Sequence, residues 1–223
     1  LSLKRLMTIN LLKRLESSVH SFRLTLDSLR DNHQRTLQSI VDFQAQGAAA
    51  GNSIDDFSAS FNNIEFDDDE MPDIDEAFST GGKIKINLSD MDLVAWEHDL
   101  KADLWLIEEL SGEMQKVSPA DDTKLQNLKT QIESKLASPI NLGNKKVIIF
   151  TAFADTANYL YEHLSHYFSI HRKMHTGIVT GSSTPKSTLN KPYDFQSLLT
   201  LFSPRSKEKT AILPNEPGEL DIL

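Results

Sequence analysis

From Leu12 the apolar residues fall at Leu12, Leu15, Val19, Phe22, Leu26 and Leu29, in steps of three and four. That is the spacing of a heptad seam along a helix. His33 continues it, and Leu37, Ile40 and Val41 follow after a slip. Neither Pro nor Gly intervenes before Gly47. The pattern therefore predicts one helix of about 40 residues, about 60 Å long, a length that suits a stalk or coiled coil. A second run begins after the cap candidates Ser89 and Asp90, with Leu93, Trp96, Leu100, Leu104, Ile107, Leu110, Met114 and Val117 at steps of three or four. Ser118-Pro119 ends it. Two such helices joined by a polar stretch pair most simply as an antiparallel hairpin. A parallel homodimer on the first helix alone also satisfies the narrow stripe. His33 reads as a tolerated, partly buried seam residue, and Trp96 and Trp105 as packing residues.

The pattern changes after Pro119. Asp121-Asp122-Thr123-Lys124 opens a helix with Leu125, Leu128, Ile132 and Leu136 on one face, and Pro139 and Gly143-Asn144 end it. Lys145 to Thr151 is a short β-branched run, read as a buried parallel strand. Ala154, Ala157, Leu160, Tyr161, Leu164 and Phe168 recur at helical spacing after it. Gly177 to Thr180 reads as a second strand, Leu189 to Phe202 as partly helical around Pro192, and Glu219 to Leu223 as a third strand. Strand, helix, strand, helix, strand implies an α/β fold with a parallel sheet, whose binding loops lie at the carboxyl ends of the strands. The predicted organisation is a first hairpin arm over 1–46, a flexible insertion over 47–87, a second arm over 88–118 and an α/β segment over 119–223.

Charge alters this picture locally. The chain has 23 basic and 32 acidic residues. Ten of the acids lie between Gly47 and Gly82 with no Lys or Arg among them, leaving 23 basic and 22 acidic residues elsewhere. The acidic stretch, punctuated by Phe57, Phe61, Phe66 and Phe78, lacks a period and is expected to be disordered or loosely docked. The remainder can still meet a phosphate backbone. Lys4, Arg5, Lys13, Arg14, Arg23, Arg30 and Arg35 line the first helix, as a solvated face first and a nucleic-acid track second.

The absence of Cys excludes a disulfide scaffold, a thiolate zinc site and a cysteine nucleophile. No apolar run approaches the roughly 18 residues of a membrane span, and no signal peptide is visible, so a cytoplasmic location is expected. His163, His166, His171 and His175 straddle a helix end and a strand, and no metal site is assigned to them. The chain starts at Leu1 and stops inside a predicted strand, which is the expectation for a piece of a larger protein.

The run Lys146-Val147-Ile148-Ile149-Phe150-Thr151-Ala152-Phe153-Ala154-Asp155-Thr156-Ala157, with Tyr159-Leu160, resembles helicase motif IV. The form is similar to the second RecA-like lobe of superfamily 2 helicases, particularly Swi/Snf-type ATPases. Asp122-Thr123-Lys124-Leu125 matches the helix start that precedes this strand in the family, and Val179-Thr180-Gly181-Ser182-Ser183-Thr184 matches its Gly-Ser/Thr turn. Leu11 to Ser18 resembles a helical segment of bacterial members. The likeness covers about 105 residues of the C-terminal half. It implies a partial RecA-like parallel sheet, the N-terminal part of a helicase C-terminal lobe. It also implies a parent protein that uses ATP and Mg to move along nucleic acid, with double-stranded DNA and a first RecA-like lobe as partners.

The motifs that hold ATP and Mg are absent from this chain. Gly177 to Thr184 has three residues between its glycines and no Lys after Gly181, so it is not a phosphate loop. This fragment alone is therefore expected to be inactive, with no catalytic residue. The residues expected at nucleic acid are Thr151, Phe153, Thr180, Gly181, Ser182, Ser183, Thr184 and Lys186, with Lys145 and Lys146 nearby. Amides and hydroxyls at strand ends hold phosphates without reading bases. Local capping competes with that role at each of them. The alternative is a non-enzymatic coiled-coil interaction protein with a small α/β domain.

Overall fold

The computed structural model describes residues 3–46, 91–181 and 183–223. The acidic stretch from Gly47 to Gly82, the cap candidates Ser89 and Asp90, and Ser182 lie outside the described residues. The chain divides into two compact units, Leu1–Ser118 and Pro119–Leu223.

The first unit is a long helical hairpin. Helix α1 (Leu3–Ser17) runs into α2 (Val19–Gln46), and α3 (Leu93–Gln115) packs along α2. The pairing is antiparallel. Ile40 and Phe43, late in α2, meet Leu93, Trp96 and Leu100, early in α3. Phe22 and Leu26, early in α2, meet Ile107 and Met114, late in α3. Asp92 caps α3 by accepting the Ala95 N–H at 3.1 Å.

The single long helix expected from the sequence is interrupted at Ser18. Its hydroxyl accepts the Ser21 N–H at 3.0 Å, an N-cap bond within a run that neither Pro nor Gly marks. The backbone bonds Ser18 N–H to Arg14 O and Phe22 N–H to Ser18 O persist, so the break is local.

The heptad seam holds at Phe22 and Leu26, with Leu29 beside them, and needs correction at Leu12 and Leu15. Leu12 and Leu15 are 54% and 37% exposed, whereas Leu26 is buried. The buried positions are Asn10, Arg14, Ser18, Ser21, Phe22, Thr25, Leu26, Asn32, Thr36, Ile40 and Phe43, with Leu29 half-buried between them. Asn10, Ser21, Asn32 and Phe43 lie eleven apart, as do Arg14, Thr25 and Thr36, and Ser18, Leu29 and Ile40. An eleven-residue repeat gives about 3.67 residues per turn, close to the natural helix, so the stripe runs nearly straight along the axis. A heptad repeat drifts off that line, which is why Leu12 and Leu15 fall outside it. Much of the seam is small and polar. Thr25 and Thr36 return their hydroxyls to the carbonyls of Ser21 and Asn32, while Nδ2 of Asn32 and both side-chain polar atoms of Asn10 have no partner.

The second unit begins with α4 (Thr123–Ala137) and α5 (Ala154–Arg172). The expected face of α4 is the one used: Leu125 and Ile132 are buried against Tyr159, Leu164 and Phe168 of α5, and Leu128 and Leu136 flank them. Then follow β1 (Gly177–Ile178), β2 (Lys186–Ser187), α6 (Phe195–Phe202) and α7 (Lys209–Ile212). Asp194, just beyond Pro192, caps α6 through the Ser197 N–H at 2.7 Å.

The parallel RecA-like sheet is not present as a sheet. The described ladder is β1 with β2, two residues each and antiparallel. Parallel contact is limited to isolated bridges, Val147 with Ile222 and Thr176 with Ile222. The segment 221–223 lies between 147–149 and 175–178, joined by Val147 N–H to Asp221 O at 2.8 Å, Ile149 N–H to Leu223 O at 2.8 Å and Gly177 N–H to Ile222 O at 2.8 Å. Parallel pairs recur every second residue, so three central residues supply one bridge on each side and no second. The expectation that Lys145–Thr151 is buried on both faces is likewise corrected. Val147 and Ile149 face the α4–α5 cluster, but Ile148 and Phe150 are exposed. The second cluster, Leu198, Leu201 and Leu220 with Leu223, covers the central segment and stops short of them.

Candidate nucleic-acid interface

The direction of the bridged segments decides where the candidate residues gather. Segments 147–149 and 175–178 both run parallel to 221–223, so their carboxyl ends point the same way. The loop from Thr151 and the turn from Thr180 therefore leave at one edge, two strand spacings or about 10 Å apart. Lys186 joins them, because β2 runs antiparallel and pairs Lys186 with Ile178 at that end of β1.

Within this edge the hydroxyls are engaged locally. Thr180 Oγ1 and Ser183 Oγ are 2.5 Å apart, and Thr180 Oγ1 also accepts the Ser183 N–H at 3.3 Å. Thr151 Oγ1 accepts the Phe153 N–H at 3.4 Å. These are side-chain turns of the kind that order short loops. Gly181, Ser183 and Thr184 are exposed, whereas Thr151, Phe153 and Thr180 are half-buried. Phe153 stands at the N-cap of α5 in extended backbone, without a side-chain cap bond, and Asp155 sits in the first turn behind it. Lys186 is exposed.

Two expected contributors lie elsewhere. Lys145 and Lys146 begin the strand whose far end is Thr151, so they belong to the opposite edge. Lys146 is also engaged: its Nζ lies 2.9 Å from Glu219 Oε2 and donates to Leu220 O at 2.7 Å. One lysine, Lys186, thus remains at the candidate edge. Three of the basic residues along the first helix are turned inward or engaged within it. Arg14 is buried, Arg30 is paired with Asp27 and Asp31, and Arg35 donates to Asn32 Oδ1 and Asp31 O.

Gly177 is a packing residue. Its N–H bonds Ile222 O, and an added Cβ would lie 2.8 Å from Leu220 Cδ1 and 3.2 Å from Leu223 Cδ1. The amide is engaged in strand pairing, so it offers no phosphate cradle. Among the described residues the turn that begins at Gly177 therefore does not fit a nucleotide phosphate.

The histidines do different jobs. His163 and His171 lie against Tyr159 and Tyr167, each at 4.6 Å between ring centroids, and His175 Nδ1 is 3.2 Å from Thr188 Oγ1. Among the described residues no three His, Asp or Glu side chains converge to hold a metal ion. His33 is half-buried, with Nδ1 2.8 Å from Leu29 O and Nε2 4.0 Å from Asp103. Trp96 packs as expected, but Trp105 is exposed.

One cluster escaped sequence reasoning. Glu216 Oε2 lies 2.6 Å from Lys191 Nζ, and its Oε1 accepts the Gly218 N–H at 3.3 Å. Lys191 stands 5.4 Å over the Tyr193 ring. Bonds from Lys191 and then Tyr193 hold the Glu216 carboxyl down to about 2. Burial, then the bond to Glu216, pushes the Tyr193 phenol up to about 12. The cluster ties the loop before α6 to the stretch after α7. Glu216 lies more than twenty residues from Lys191 and Tyr193, with no shared motif to link them.

No family model matches the chain, and no curated protein or solved structure matches it. Among the described residues no helix is long and apolar enough to cross a membrane.

Proposed function

We propose that this chain contributes part of the second motor lobe of an ATP-driven nucleic-acid helicase or translocase of the Swi/Snf-like type. Its role is to present strand-end turns to a phosphate backbone. What supports the reading is the shared direction of 147–149 and 175–178 on either side of 221–223. It brings Thr151, Phe153, Thr180, Gly181, Ser183, Thr184 and Lys186 to the edge where α/β folds bind ligands. ATP and Mg belong to motifs of the parent protein outside this chain, as does the first lobe.

With Lys186 as the lysine of this edge, backbone binding is weak, and the logarithm of affinity falls with that of salt at a slope of about −1. Lys186→Ala abolishes that slope if the edge is the contact surface. The wider reading rests on phosphate release with duplex DNA, measured for this chain and for its full-length parent. The expected result is turnover by the parent and none by the chain. An intact parent without turnover would leave the second reading, a non-enzymatic helical interaction module. Two features favour that reading: the parallel pairing is confined to isolated bridges, and α3 keeps an apolar outer face.

A further inference from the structure

Helix α3 is apolar on two sides. Leu93, Trp96, Leu100 and Ile107 face α2. Trp105 on the far side, and Leu106 and Leu110 leading round to the flank of that seam, are 61%, 52% and 45% exposed. Ala102, Leu106 and Leu110 recur every four residues and form one ridge, with Trp105 beside it. Such a ridge is what a second helix packs against. Gly112 lies two turns beyond Trp105 at nearly the same angle around the helix. A glycine inside a helix costs about 1 kcal/mol relative to alanine. A Cβ at Gly112 would meet nothing within 4 Å, so among the described residues no contact requires the glycine. Its missing side chain leaves a notch in the exposed surface beside Trp105.

The charge around this ridge names the partner. Helix α3 carries six acids and one lysine, and Lys101 is already paired with Glu97 at 2.6 Å. Asp99 and Glu109 interleave with the exposed apolar residues and Glu108 lies next to Trp105 along its flank. None of the three has a cationic partner among the described residues. Nucleic acid is excluded by like charge. So is the chain's own stretch from Gly47 to Gly82, with its ten acids and no Lys or Arg.

We propose that the outer face of α3 docks a basic amphipathic helix of a partner protein. The partner's apolar stripe covers Trp105, Leu106 and Leu110, and its lysines or arginines meet Asp99, Glu108 and Glu109. This goes beyond the motor reading and does not depend on it.

The probe is a fluorescent synthetic helix of about five turns, built of Leu and Lys at heptad spacing. It is titrated by anisotropy against the whole chain and compared with a scrambled peptide and with one carrying Glu in place of Lys. The expected result is saturable binding of the basic amphipathic peptide alone. The double variants Leu106→Glu/Leu110→Glu and Glu108→Lys/Glu109→Lys each weaken it at least about tenfold, a loss of about 1.4 kcal/mol. All four positions are exposed, and unchanged helical circular dichroism shows that the variants fold. Three results would overturn the proposal. Equal binding by either double variant would place the peptide elsewhere, on the acidic stretch for example. Equal binding of the scrambled or acidic peptide would show no recognition of a basic apolar stripe. A dimer in light scattering that Leu106→Glu dissolves would make a second copy of the chain the occupant.

Discussion

The Asp122 carboxylate is shared between two helices. One oxygen accepts the Leu125 N–H of its own helix α4 at 3.0 Å, and the other accepts the Tyr159 hydroxyl of α5 at 2.9 Å. An N-cap bond is thereby joined to an interhelical bond, both buried. Asp122→Ala removes the cap and strands the Tyr159 hydroxyl, with an expected cost of about 2–3 kcal/mol. Tyr159→Phe removes one bond and costs about 1 kcal/mol. In urea unfolding the double variant should lose less than the sum, because one bond is counted in both single losses. Strict additivity would show that the two helices are not coupled through this carboxylate.

The buried register of the hairpin gives a second prediction. Leu12 and Leu15 lie on the heptad line but are exposed, whereas Leu26, farther along the same line, and Ile40 are buried. Leu12→Gln and Leu15→Gln are each expected within about 0.5 kcal/mol of the parent stability. Leu26→Ala and Ile40→Ala each cost about 2–5 kcal/mol. Thermal unfolding followed by helical circular dichroism separates the two sets. Large losses at Leu12 and Leu15 would restore the heptad seam.

The legible parts of the fold follow from local physics. Leu125, Leu128, Ile132 and Leu136 repeat at helical spacing behind an acid cap, and that face is the one buried. The antiparallel hairpin follows from two one-sided helices in sequence. The buried register did not follow, because Ser, Thr and Asn at Ser18, Ser21, Thr25, Asn32 and Thr36 read as solvent-facing residues. Thr25 and Thr36 sit in the seam because their hydroxyls bond the preceding turn and leave a nearly apolar outer surface. In the α/β segment the three longer helices were readable, whereas β2 and α7 were not expected. The extent of pairing was not readable, since the pairing of 221–223 depends on a register that no local pattern encodes. At the candidate edge the sequence named lysines at both ends of the strand from Lys145. The geometry divides them into Lys186, which stays at the edge, and Lys146, which turns to Glu219.

Gly177 supports a third prediction. A methyl group there would press on Leu220, which is fully buried and held in its own cluster. Gly177→Ala is expected to cost about 1–3 kcal/mol by overpacking. Adding Leu220→Val should recover part of the loss, giving a favourable coupling in a double-mutant cycle. If the alanine variant unfolds at the same urea concentration as the parent, the close approach is not felt.

The cluster of Lys191, Tyr193 and Glu216 links stability to pH in two windows. The folded Glu216 titrates at about 2 rather than its ordinary 4.5. The fold therefore favours the carboxylate, and its contribution is complete above about pH 4.5 and disappears as pH falls towards 2. The folded Tyr193 titrates at about 12 rather than its ordinary 10. The fold favours the neutral phenol, so that contribution is complete below about pH 10 and is lost as pH rises towards 12. Glu216→Gln should lower the urea midpoint at neutral pH, and the difference from the parent should shrink through the acid window. Tyr193→Phe should flatten the alkaline window and leave most of the acid one, because Lys191 is the larger cause of the Glu216 shift. Urea midpoints across the two windows, with phenolate absorbance followed in the alkaline one, measure both arms. If the parent and Glu216→Gln differ by the same amount at neutral pH and at about pH 2, the carboxylate is not the group that links this loop to stability.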